Sequence, residues 1–441
     1  MACTIHTNFF DDKILMQLQE DLTKRIDIGN KQYGSNQSKI LHIYSVNDTI
    51  ESRPCNIPFH YGLKLSLEKN IEIERPNRKN LGTMNHEFNG ILREEQKKCR
   101  DDALTILQSE KSVILSCFTG FGKTITAINM ASKIKLKTLV VVPKKSLLDQ
   151  WKAEIVKFIP TASVMVLEAS KIKNLTFNEC PDFCIINACN IHKVGLKILK
   201  NYGFVIIDEA HLQMTEKLSE NLLYLTPRYL LGITATPYRE DGYNVLFNLF
   251  FGKKKIEYIL NKKHIVYKVK TGFIPNESKY LKYGPNFKTN LNWNAILDEQ
   301  SKNEKRNQLI IDIVRRFKDR TFLILVKRVE HGHYLLSQLE SLGEKVTSLL
   351  GKQQEFSKDA RILIGTNSKI GTGFDYPKLD TLLCACDMVS YYIQFIGRVM
   401  RRKDVEPIIF DLVDCHPTLK KHFQKRLKVY SKHGGQVVKY E

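Results

Sequence analysis

The residues best suited to chemistry lie in a glycine-rich stretch from Ser116 to Thr124, which reads S-C-F-T-G-F-G-K-T. Glycines let backbone N–H groups curl around phosphate oxygens, and the start of a helix adds a positive dipole end. Lys123 is predicted to reach the outer phosphates of a nucleotide, and Thr124 to bind Mg²⁺. The stretch departs from the usual phosphate-loop pattern at its first glycine, where Cys117 stands. The predicted nucleotide-binding residues of the loop are Thr119, Gly120, Phe121, Gly122, Lys123 and Thr124.

Two acidic residues, Asp208 and Glu209, directly follow a second apolar run, Phe204 to Ile207. Parallel sheets bind ligands beyond the carboxyl ends of their strands, so these side chains are expected close to the phosphate loop. Asp208 is predicted to hold Mg²⁺, and Glu209 to orient or deprotonate the attacking water. An isolated Asp-Glu pair would usually be only a solvated strand end. Here a phosphate loop precedes the pair in the chain, which favours a role for both residues in ATP hydrolysis.

A cluster of arginines, between Gln394 and Arg402, is suited to act on the same nucleotide. Arg398 and Arg401 are three residues apart, so on a helix they share one face. Two guanidinium groups on one face suit a γ-phosphate whose charge changes during transfer. A basic helix that binds backbone phosphates is an equally good interpretation of this cluster taken alone.

Apolar strand-like runs alternate with helical stretches from residue 90 to about 250, and again from about 306. Continuous apolar strands between helices predict parallel sheets that are covered on both faces. The fold class is therefore predicted to be α/β, with two tandem parallel-sheet domains and a small N-terminal α+β accessory domain. The predicted boundaries are 1–88 for the accessory domain, 89–250 for the first α/β domain, 251–305 for a basic linker or insertion, and 306–441 for the second α/β domain.

The composition indicates a polyanionic partner. Lys and Arg number 68 against 47 Asp and Glu, which gives a formal charge of +21 over 441 residues. Nucleic acid is the first candidate for such a surplus, and a solvated basic surface is the alternative. No apolar run approaches the roughly 20 residues that span a bilayer, and the N-terminus lacks the pattern of a signal peptide. The ten cysteines show no paired zinc-binding spacing, so reduced thiols in an intracellular setting are expected.

These segments, in this order, resemble the superfamily 2 helicases over roughly residues 90 to 415. The resemblance implies two RecA-like domains, with ATP and Mg²⁺ as cofactors. In the family's pattern Gln96 contacts adenine, while Gly373 and Asp375 belong to a segment that touches both nucleotide and nucleic-acid backbone. Arg398 and Arg401 match Q-x-x-G-R-x-x-R, whose arginines act as fingers across the cleft. The resemblance assigns coupling or nucleic-acid contact to His211, Thr234, Thr236, Arg239, Glu240, Asp241, Thr366 and Gln394.

The segment Arg239 to Asp241 is similar to one in the DNA helicases of the XPB-like group, where it is linked to duplex opening. The short chain and the segment Arg306 to Ile310 also resemble the poxvirus transcript-termination helicase and its relatives in large cytoplasmic DNA viruses. These resemblances imply a DNA-dependent ATPase that moves 3′ to 5′. They also imply a partner in the RNA polymerase machinery, no membrane association, and a location in the host cytoplasm and the virion.

Three other functions remain as alternatives. An RNA helicase is the first, since the DEAH box, here Asp208-Glu209-Ala210-His211, also occurs in that class. The second is a nucleic-acid remodelling factor that uses ATP as a conformational switch without separating strands. The third is a non-catalytic binding protein, which is disfavoured because a complete set of candidate catalytic residues is present, namely Lys123, Asp208, Glu209 and Arg398.

Overall fold

The structure is a computed structural model, and it describes residues 1–7, 10, 12–27, 38–46, 53–168, 170, 172, 180–239, 241–276, 281–283, 289–371, 374, 376–388 and 392–441. The chain forms two compact units. The first unit consists of Met1–Cys117 and Phe121–Tyr258, and the second of Phe118–Gly120 and Ile259–Glu441. Among the residues just given, no helix is long and apolar enough to span a bilayer.

The N-terminal part of the first unit combines short strands with two helices. Its elements are β1 (Ala2–His6), α1 (Asp12–Leu22), β2 (Thr23–Asp27), β3 (Ser38–His42), β4 (Ser45–Val46), β5 (Pro54–Pro58) and α2 (Phe59–Lys69). β5 pairs antiparallel with both β1 and β4, and β2 pairs antiparallel with β3. Ile5 and Phe59 of this part lie in the same apolar core as Leu230 and Phe250. Sharing a core is physically sensible, because so small a set of elements buries little surface alone.

A parallel sheet forms the centre of the first unit. Its strands are β6 (Ser112–Cys117), β7 (Thr138–Val142), β8 (Val164–Leu167), β9 (Phe183–Asn187), β10 (Phe204–Asp208), β11 (Tyr229–Thr234) and β12 (Lys255–Tyr258). Within the described residues their order is β12-β6-β11-β10-β7-β9-β8, with all neighbours parallel. Every residue of β6, β7, β9 and β10 is buried, as expected for strands covered on both faces.

Helices cover this first sheet. They are α3 (Glu94–Glu110), α4 (Lys123–Ile134), α5 (Ser146–Phe158), α6 (Leu196–Leu199), α7 (Ala210–Gln213), α8 (Glu216–Leu222) and α9 (Val245–Phe251), with 3-10 helices at Arg78–Asn80 and Ala188–Lys193. α5 shows why such segments are helical and how they pack. It buries Leu147, Leu148, Trp151 and Ile155, which at helical spacing form one apolar face.

The second unit is built on another parallel sheet. Its strands are β13 (His264–Lys270), β14 (Leu281–Tyr283), β15 (Thr289–Leu291), β16 (Phe322–Val326), β17 (Val346–Leu349), β18 (Ile362–Thr366), β19 (Thr381–Cys384), β20 (Ile408–Val413) and β21 (Gly435–Lys439). In the described part of the chain the sheet order is β17-β18-β16-β19-β20-β13-β21, and β14 pairs separately with β15. Its helices are α10 (Trp293–Lys302), α11 (Glu304–Arg316), α12 (Val329–Ser341), α13 (Asn367–Ile370), α14 (Tyr392–Val399) and α15 (Pro417–Lys432).

Buried charges hold α15 against the second sheet. Arg426 donates two hydrogen bonds of 2.8 Å to the carboxylate of Asp411 and one of 2.9 Å to Asp387. The Nδ1 atom of His422 lies 2.5 Å from the other oxygen of Asp387. Burial by itself raises the pKa of Asp387, but the contacts with His422 and Arg426 outweigh it and hold that pKa below its usual value. The carboxylate therefore stays ionised in the core, which is tolerable because it is closely paired.

The prediction of two tandem RecA-like parallel-sheet domains is confirmed, and the region between them is more regular than predicted. Part of the segment 251–305 forms strands: β12 pairs with β6 at an edge of the first sheet, and β13 lies between β20 and β21 in the second. β12 was not predicted because its sequence is rich in lysine. As an edge strand it keeps charged side chains in water, and Lys255 and Glu257 are exposed on either side of buried Ile256. The domain boundaries themselves stay predictions.

Candidate functional site

The glycine-rich stretch forms a loop between β6 and α4. Gly120 and Gly122 have φ angles of 93° and 91°, a region that side chains with a Cβ rarely adopt. A Cβ added at Gly122 would also lie 2.3 Å from Nε2 of Gln96. The backbone at this position therefore requires glycine, and it leads directly into the first turn of α4 at Lys123.

The loop is fastened from one side by residues at the start of α3. Nε2 of Gln96 donates to the carbonyl of Phe121 at 2.7 Å, and Oε1 of Gln96 accepts from the backbone N–H of Arg93 at 2.8 Å. The guanidinium of Arg93 donates to the same Phe121 carbonyl. The Phe121 ring is buried, with its centroid 4.9 Å from that of Tyr258. Gln96 thus supports the loop, and its contact with adenine stays a prediction.

Lys123 and Thr124 occupy the first turn of α4, and both are half-buried. The Nζ of Lys123 donates to the carbonyl of Cys117 at 2.9 Å, so the side chain folds back over the loop. Thr119, in the loop itself, is also half-buried. The lysine charge and the threonine hydroxyl therefore lie together at the start of the helix, where the helix dipole adds positive potential.

The strand order of the first sheet brings three predicted segments together. β11 lies between β6 and β10, and all three strands run parallel. In this register Thr234 pairs with Ser116, and Asp208 pairs with Ile233. The carboxyl ends of these strands carry, from one side to the other, the glycine-rich loop, Thr234 and Asp208. This is the edge at which parallel sheets bind ligands.

Asp208 is buried, and both of its carboxylate oxygens accept a hydrogen bond. The indole N–H of Trp151 donates to Oδ2 at 2.8 Å, and the backbone N–H of Glu209 donates to Oδ1 at 2.8 Å. Gln213 holds the adjoining backbone by donating to the Asp208 carbonyl at 2.7 Å. Burial raises the pKa of the Asp208 carboxyl, while the Trp151 N–H and the charge of Lys123 act in the opposite direction.

Glu209 and His211 form a close pair in the turn after β10. Glu209 has a φ of 44°, in the left-handed region, and it precedes the short helix α7. Its Oε2 lies 3.5 Å from Nδ1 of His211. Burial, together with the charges of Arg239 and Lys123, lowers the pKa of His211 to about 3. The imidazole is therefore neutral at physiological pH, and its contacts are hydrogen bonds rather than ion pairs.

Hydrogen bonds join the turn after β10 to the segment that follows β11. Nδ1 of His211 lies 2.7 Å from the hydroxyl of Thr234, and that hydroxyl accepts from the N–H of Thr236 at 3.0 Å. Arg239 donates to the backbone carbonyl of His211, and its Nε donates to Asp241 at 3.0 Å. All five residues belong to the first unit, so the structure brings these separately predicted residues into one network.

In the second unit the two predicted arginines do not share a helical face. α14 ends one residue after Arg398, so Arg401 lies beyond the helix. The prediction of a common helical face is wrong because the helix ends at Val399, two residues before Arg401. Nζ of Lys262 donates to the carbonyl of Met400 at 3.3 Å and to that of Arg402. Both carbonyls lie beyond Val399, so Lys262 holds the chain where it leaves α14.

Arg398 is buried against the segment that follows α13. It donates to the carbonyl of Gly371 at 2.7 Å and to that of Phe374, with its guanidinium carbon 5.8 Å from the Phe374 ring centroid. Gln394, on the same helix, is also buried. The hydroxyl of Thr366, at the end of β18, lies 3.2 Å from that of Ser368. Three other predicted site residues, Glu240, Gly373 and Asp375, lie outside the described residues.

The contacts that some residues make at the site were not predicted from the sequence. Arg93 and Gln213 hold the backbone of the loop and of Asp208, and Trp151 donates to the Asp208 carboxylate. A partial signal existed for Trp151, since it lies four residues after Leu147 and so faces the sheet with it. The identity of its hydrogen-bond partner could not be read from that spacing.

Comparisons with known proteins identify relatives of this chain. Residues 89–239 match the family model for the Type III restriction enzyme, res subunit. The chain is 44% identical over 464 residues to "Putative helicase 161L" of Invertebrate iridescent virus 6, covering 100% of both chains. It is 27% identical over 318 residues to the transcript termination protein OPG145 of Vaccinia virus, covering 66% of this chain and 62% of that protein.

A solved structure supports the fold independently. The yeast (S. cerevisiae) protein Dbp5, bound to RNA and ADP BeF3, superposes with a TM-score of 0.52, covering 78% of this chain and 89% of that chain. At 15% identity this likeness shows the fold alone. The iridovirus relative, in contrast, matches along the whole length at an identity that shows common family membership. The chain therefore belongs to the superfamily 2 helicases, in the family of the iridovirus helicase 161L.

Proposed function

We propose that the protein is a nucleic-acid-stimulated ATPase that couples hydrolysis of ATP to ADP and phosphate to movement on, or unwinding of, DNA. The observation that carries this proposal is the edge of the first sheet, where β6, β11 and β10 end side by side. There the glycine-rich loop, Thr234 and Asp208 lie next to one another. This arrangement supports a phosphate site beside a metal-holding carboxylate.

The glycine-rich loop, the start of α4 and the end of β10 carry residues that fit ATP with Mg²⁺. The positive φ angles of Gly120 and Gly122 leave backbone N–H groups able to face phosphate oxygens. Lys123 would exchange the Cys117 carbonyl for outer phosphate oxygens, since both are acceptors for the same amine. The carboxylate of Asp208 and the hydroxyl of Thr124 supply the hard oxygen ligands that Mg²⁺ prefers. Magnesium there would neutralise charge on the transferred phosphoryl group.

Glu209 is the proposed residue for orienting the attacking water. Its left-handed backbone, with φ of 44°, is the kind of strained geometry that clusters at active sites. For Arg398 and Arg401 of the second unit we propose contact with the γ-phosphate, on the basis of the family pattern Q-x-x-G-R-x-x-R. The network of His211, Thr234, Thr236, Arg239 and Asp241 would relay changes at the nucleotide to nucleic-acid-binding segments.

The substrate and the biological role are proposed on separate grounds. A formal charge of +21 supports a polyanionic partner, and the segment Arg239 to Asp241 favours DNA by its similarity to the XPB-like group. Similarity to a viral protein named as a transcript termination protein supports a role in transcript release, with RNA polymerase as a partner. Movement from 3′ to 5′ rests on the resemblance. An RNA helicase and an ATP-switched remodelling factor remain the alternatives.

The central test is ATP hydrolysis measured with single-stranded DNA, duplex DNA, RNA or no nucleic acid. We expect DNA to stimulate ATP hydrolysis. Lys123→Ala should lose turnover but largely retain nucleic-acid binding, because the lysine is placed to contact the phosphates of ATP and not those of DNA. Lys133→Ala is the matched control, since Lys133 is exposed on the same helix, α4. This variant should hydrolyse ATP normally.

Three outcomes would change the proposal. Full turnover in Lys123→Ala would remove the assigned site. Stimulation by RNA but not by DNA would favour the RNA helicase. A strand-displacement assay run beside the ATPase assay distinguishes a helicase from a remodelling factor, because the latter hydrolyses ATP without releasing a strand.

A further inference from the structure

Trp151 is buried at the candidate site although its residue type carries no catalytic chemistry. It lies in the second turn of α5 and is 1% exposed. Its indole N–H donates to Oδ2 of Asp208 at 2.8 Å. An indole nitrogen donates hydrogen bonds and does not accept them, so the Asp208 oxygen must be the acceptor in this contact. The hydrogen bond therefore links a helix of the first unit directly to the proposed metal-holding group.

Two N–H groups together fix the plane of the Asp208 carboxylate. Trp151 occupies one lone pair of Oδ2, and the backbone N–H of Glu209 occupies one of Oδ1, both at 2.8 Å. Rotation of the carboxylate about its last side-chain bond would lengthen both hydrogen bonds at once. Each oxygen has a further lone pair, so a cation can be bound while both hydrogen bonds persist. The direction in which a cation is bound is thereby set by the donors.

The same region also fastens the backbone of Asp208. Nε2 of Gln213 donates to the Asp208 carbonyl at 2.7 Å and to the Val141 carbonyl, at the end of β7, at 3.0 Å. Trp151 belongs to the helix that follows β7, so the side chain and the main chain of Asp208 are both tied to this strand–helix pair. Hydrogen-bond partners of metal ligands commonly have this arrangement, in which the ligand's orientation is held from outside.

We propose that Trp151 is a positioning residue for the cation of the nucleotide site, whose indole N–H orients the Asp208 carboxylate so that Mg²⁺-bound nucleotide is favoured over metal-free nucleotide. The inference rests on the proposed function, since it assumes that this site binds nucleotide. We therefore expect loss of the indole N–H to reduce only the extra nucleotide affinity that Mg²⁺ provides. A residue that merely filled the core would instead affect folding, or binding with and without the metal alike.

The chain has two tryptophans, which makes a single-atom test possible. In a Trp293→Phe background Trp151 is the remaining tryptophan, so biosynthetic incorporation of 3-benzothienyl-alanine replaces it alone. That analogue keeps the shape of the ring system and exchanges the N–H for sulfur. Binding of a fluorescent ATP analogue is then measured by anisotropy with Mg²⁺ and with EDTA. We expect the Mg²⁺-dependent gain in affinity to fall about 10- to 100-fold, as for other partners of metal ligands, with binding in EDTA unchanged.

Three controls make the outcome decisive. Trp293→Phe with ordinary tryptophan should match the wild type, and Trp151→Phe should reproduce the analogue's metal defect. In an Asp208→Asn background the analogue should cause no further loss, because the oriented carboxylate is already absent. An undiminished Mg²⁺ effect, or equal losses with Mg²⁺ and with EDTA, would overturn the inference. A wild-type protein that binds no nucleotide in Mg²⁺ would instead overturn the proposed function.

Discussion

Gly122 lacks a side chain for two separate physical reasons. Its φ of 91° is costly for any residue with a Cβ, by about 1–2 kcal/mol. A Cβ would also lie 2.3 Å from Nε2 of Gln96, the atom that donates to the Phe121 carbonyl. We therefore expect Gly122→Ala to lower the free energy of unfolding and to weaken nucleotide binding, because the loop must move away from Gln96. Chemical denaturation and nucleotide-binding titrations measure the two effects.

Gly343 offers a matched control for the first of these reasons. Its φ is 80°, and nothing in the described part of the chain lies within 4 Å of a Cβ built there. Gly343→Ala should therefore show the conformational cost alone and bind nucleotide normally. If Gly122→Ala were no more harmful than Gly343→Ala, the crowding against Gln96 would be unimportant.

Residue types and spacing indicated the groups of the candidate site but not the contacts that hold them. Lys123 and Asp208 could be found because each follows an apolar strand and is of a type that binds phosphate or metal. The contacts of Trp151 and Gln96 could not, since they join residues 57 and 25 positions apart in the chain. Such contacts depend on the lateral order of strands, which local sequence does not encode.

Strands that are apolar throughout were predicted well, whereas strand order and the end of one helix were not. β6, β7 and β10 are entirely buried, so continuous apolar runs identified them. That β11 lies between β6 and β10 was not predictable, because strand order follows from the crossover connections and not from the strands. The end of α14 was not predicted; the chain just beyond it contacts Lys262, which comes from a distant segment.

α12 carries a buried histidine that should make the second unit sensitive to acid. Burial, with the charge of Arg306, lowers the pKa of His331 to about 3, and its Nε2 lies 2.8 Å from Oδ1 of Asn307. An unfolded histidine has a pKa near 6.5. Between these two values the unfolded chain binds a proton that the folded chain does not, so stability falls as the pH falls, by up to ~1.4 kcal/mol per pH unit.

We expect His331→Gln to remove this proton uptake and to make the stability of the second unit depend less on pH between about 6.5 and 4. His333→Gln is the control, because His333 is exposed on the same helix. Trp293, whose ring centroid lies 5.7 Å from that of His422, reports on the second unit in urea titrations of a Trp151→Phe background. Identical pH slopes for His331→Gln and the parent protein would contradict the assignment of a neutral buried imidazole.

The charge of the whole molecule is distributed unevenly along the chain. α15 contains no acidic residue, and five of its lysines are exposed: Lys420, Lys421, Lys425, Lys428 and Lys432. Some exposed lysines elsewhere in the described part of the chain are paired with carboxylates. Lys64 lies 3.6 Å from Glu68, and Lys378 lies 3.7 Å from Asp359. The positive potential at α15 is therefore greater than it would be if the excess of basic residues were spread evenly over the molecule.

Nucleic-acid affinity should accordingly fall steeply with salt, and α15 should contribute more to that slope than paired lysines do. Replacing Lys420, Lys421, Lys425 and Lys428 with Gln should reduce the slope of log affinity against log salt by about one for each lysine that contacts a phosphate. The matched control replaces four exposed lysines that already pair with carboxylates, namely Lys64, Lys200, Lys263 and Lys378. Anisotropy titrations of labelled duplex DNA between 50 and 200 mM salt, roughly the range over which counterion release is large, measure both slopes. Equal slopes in the two variants would show that α15 has no special part, and that the surplus acts through the molecule's net charge.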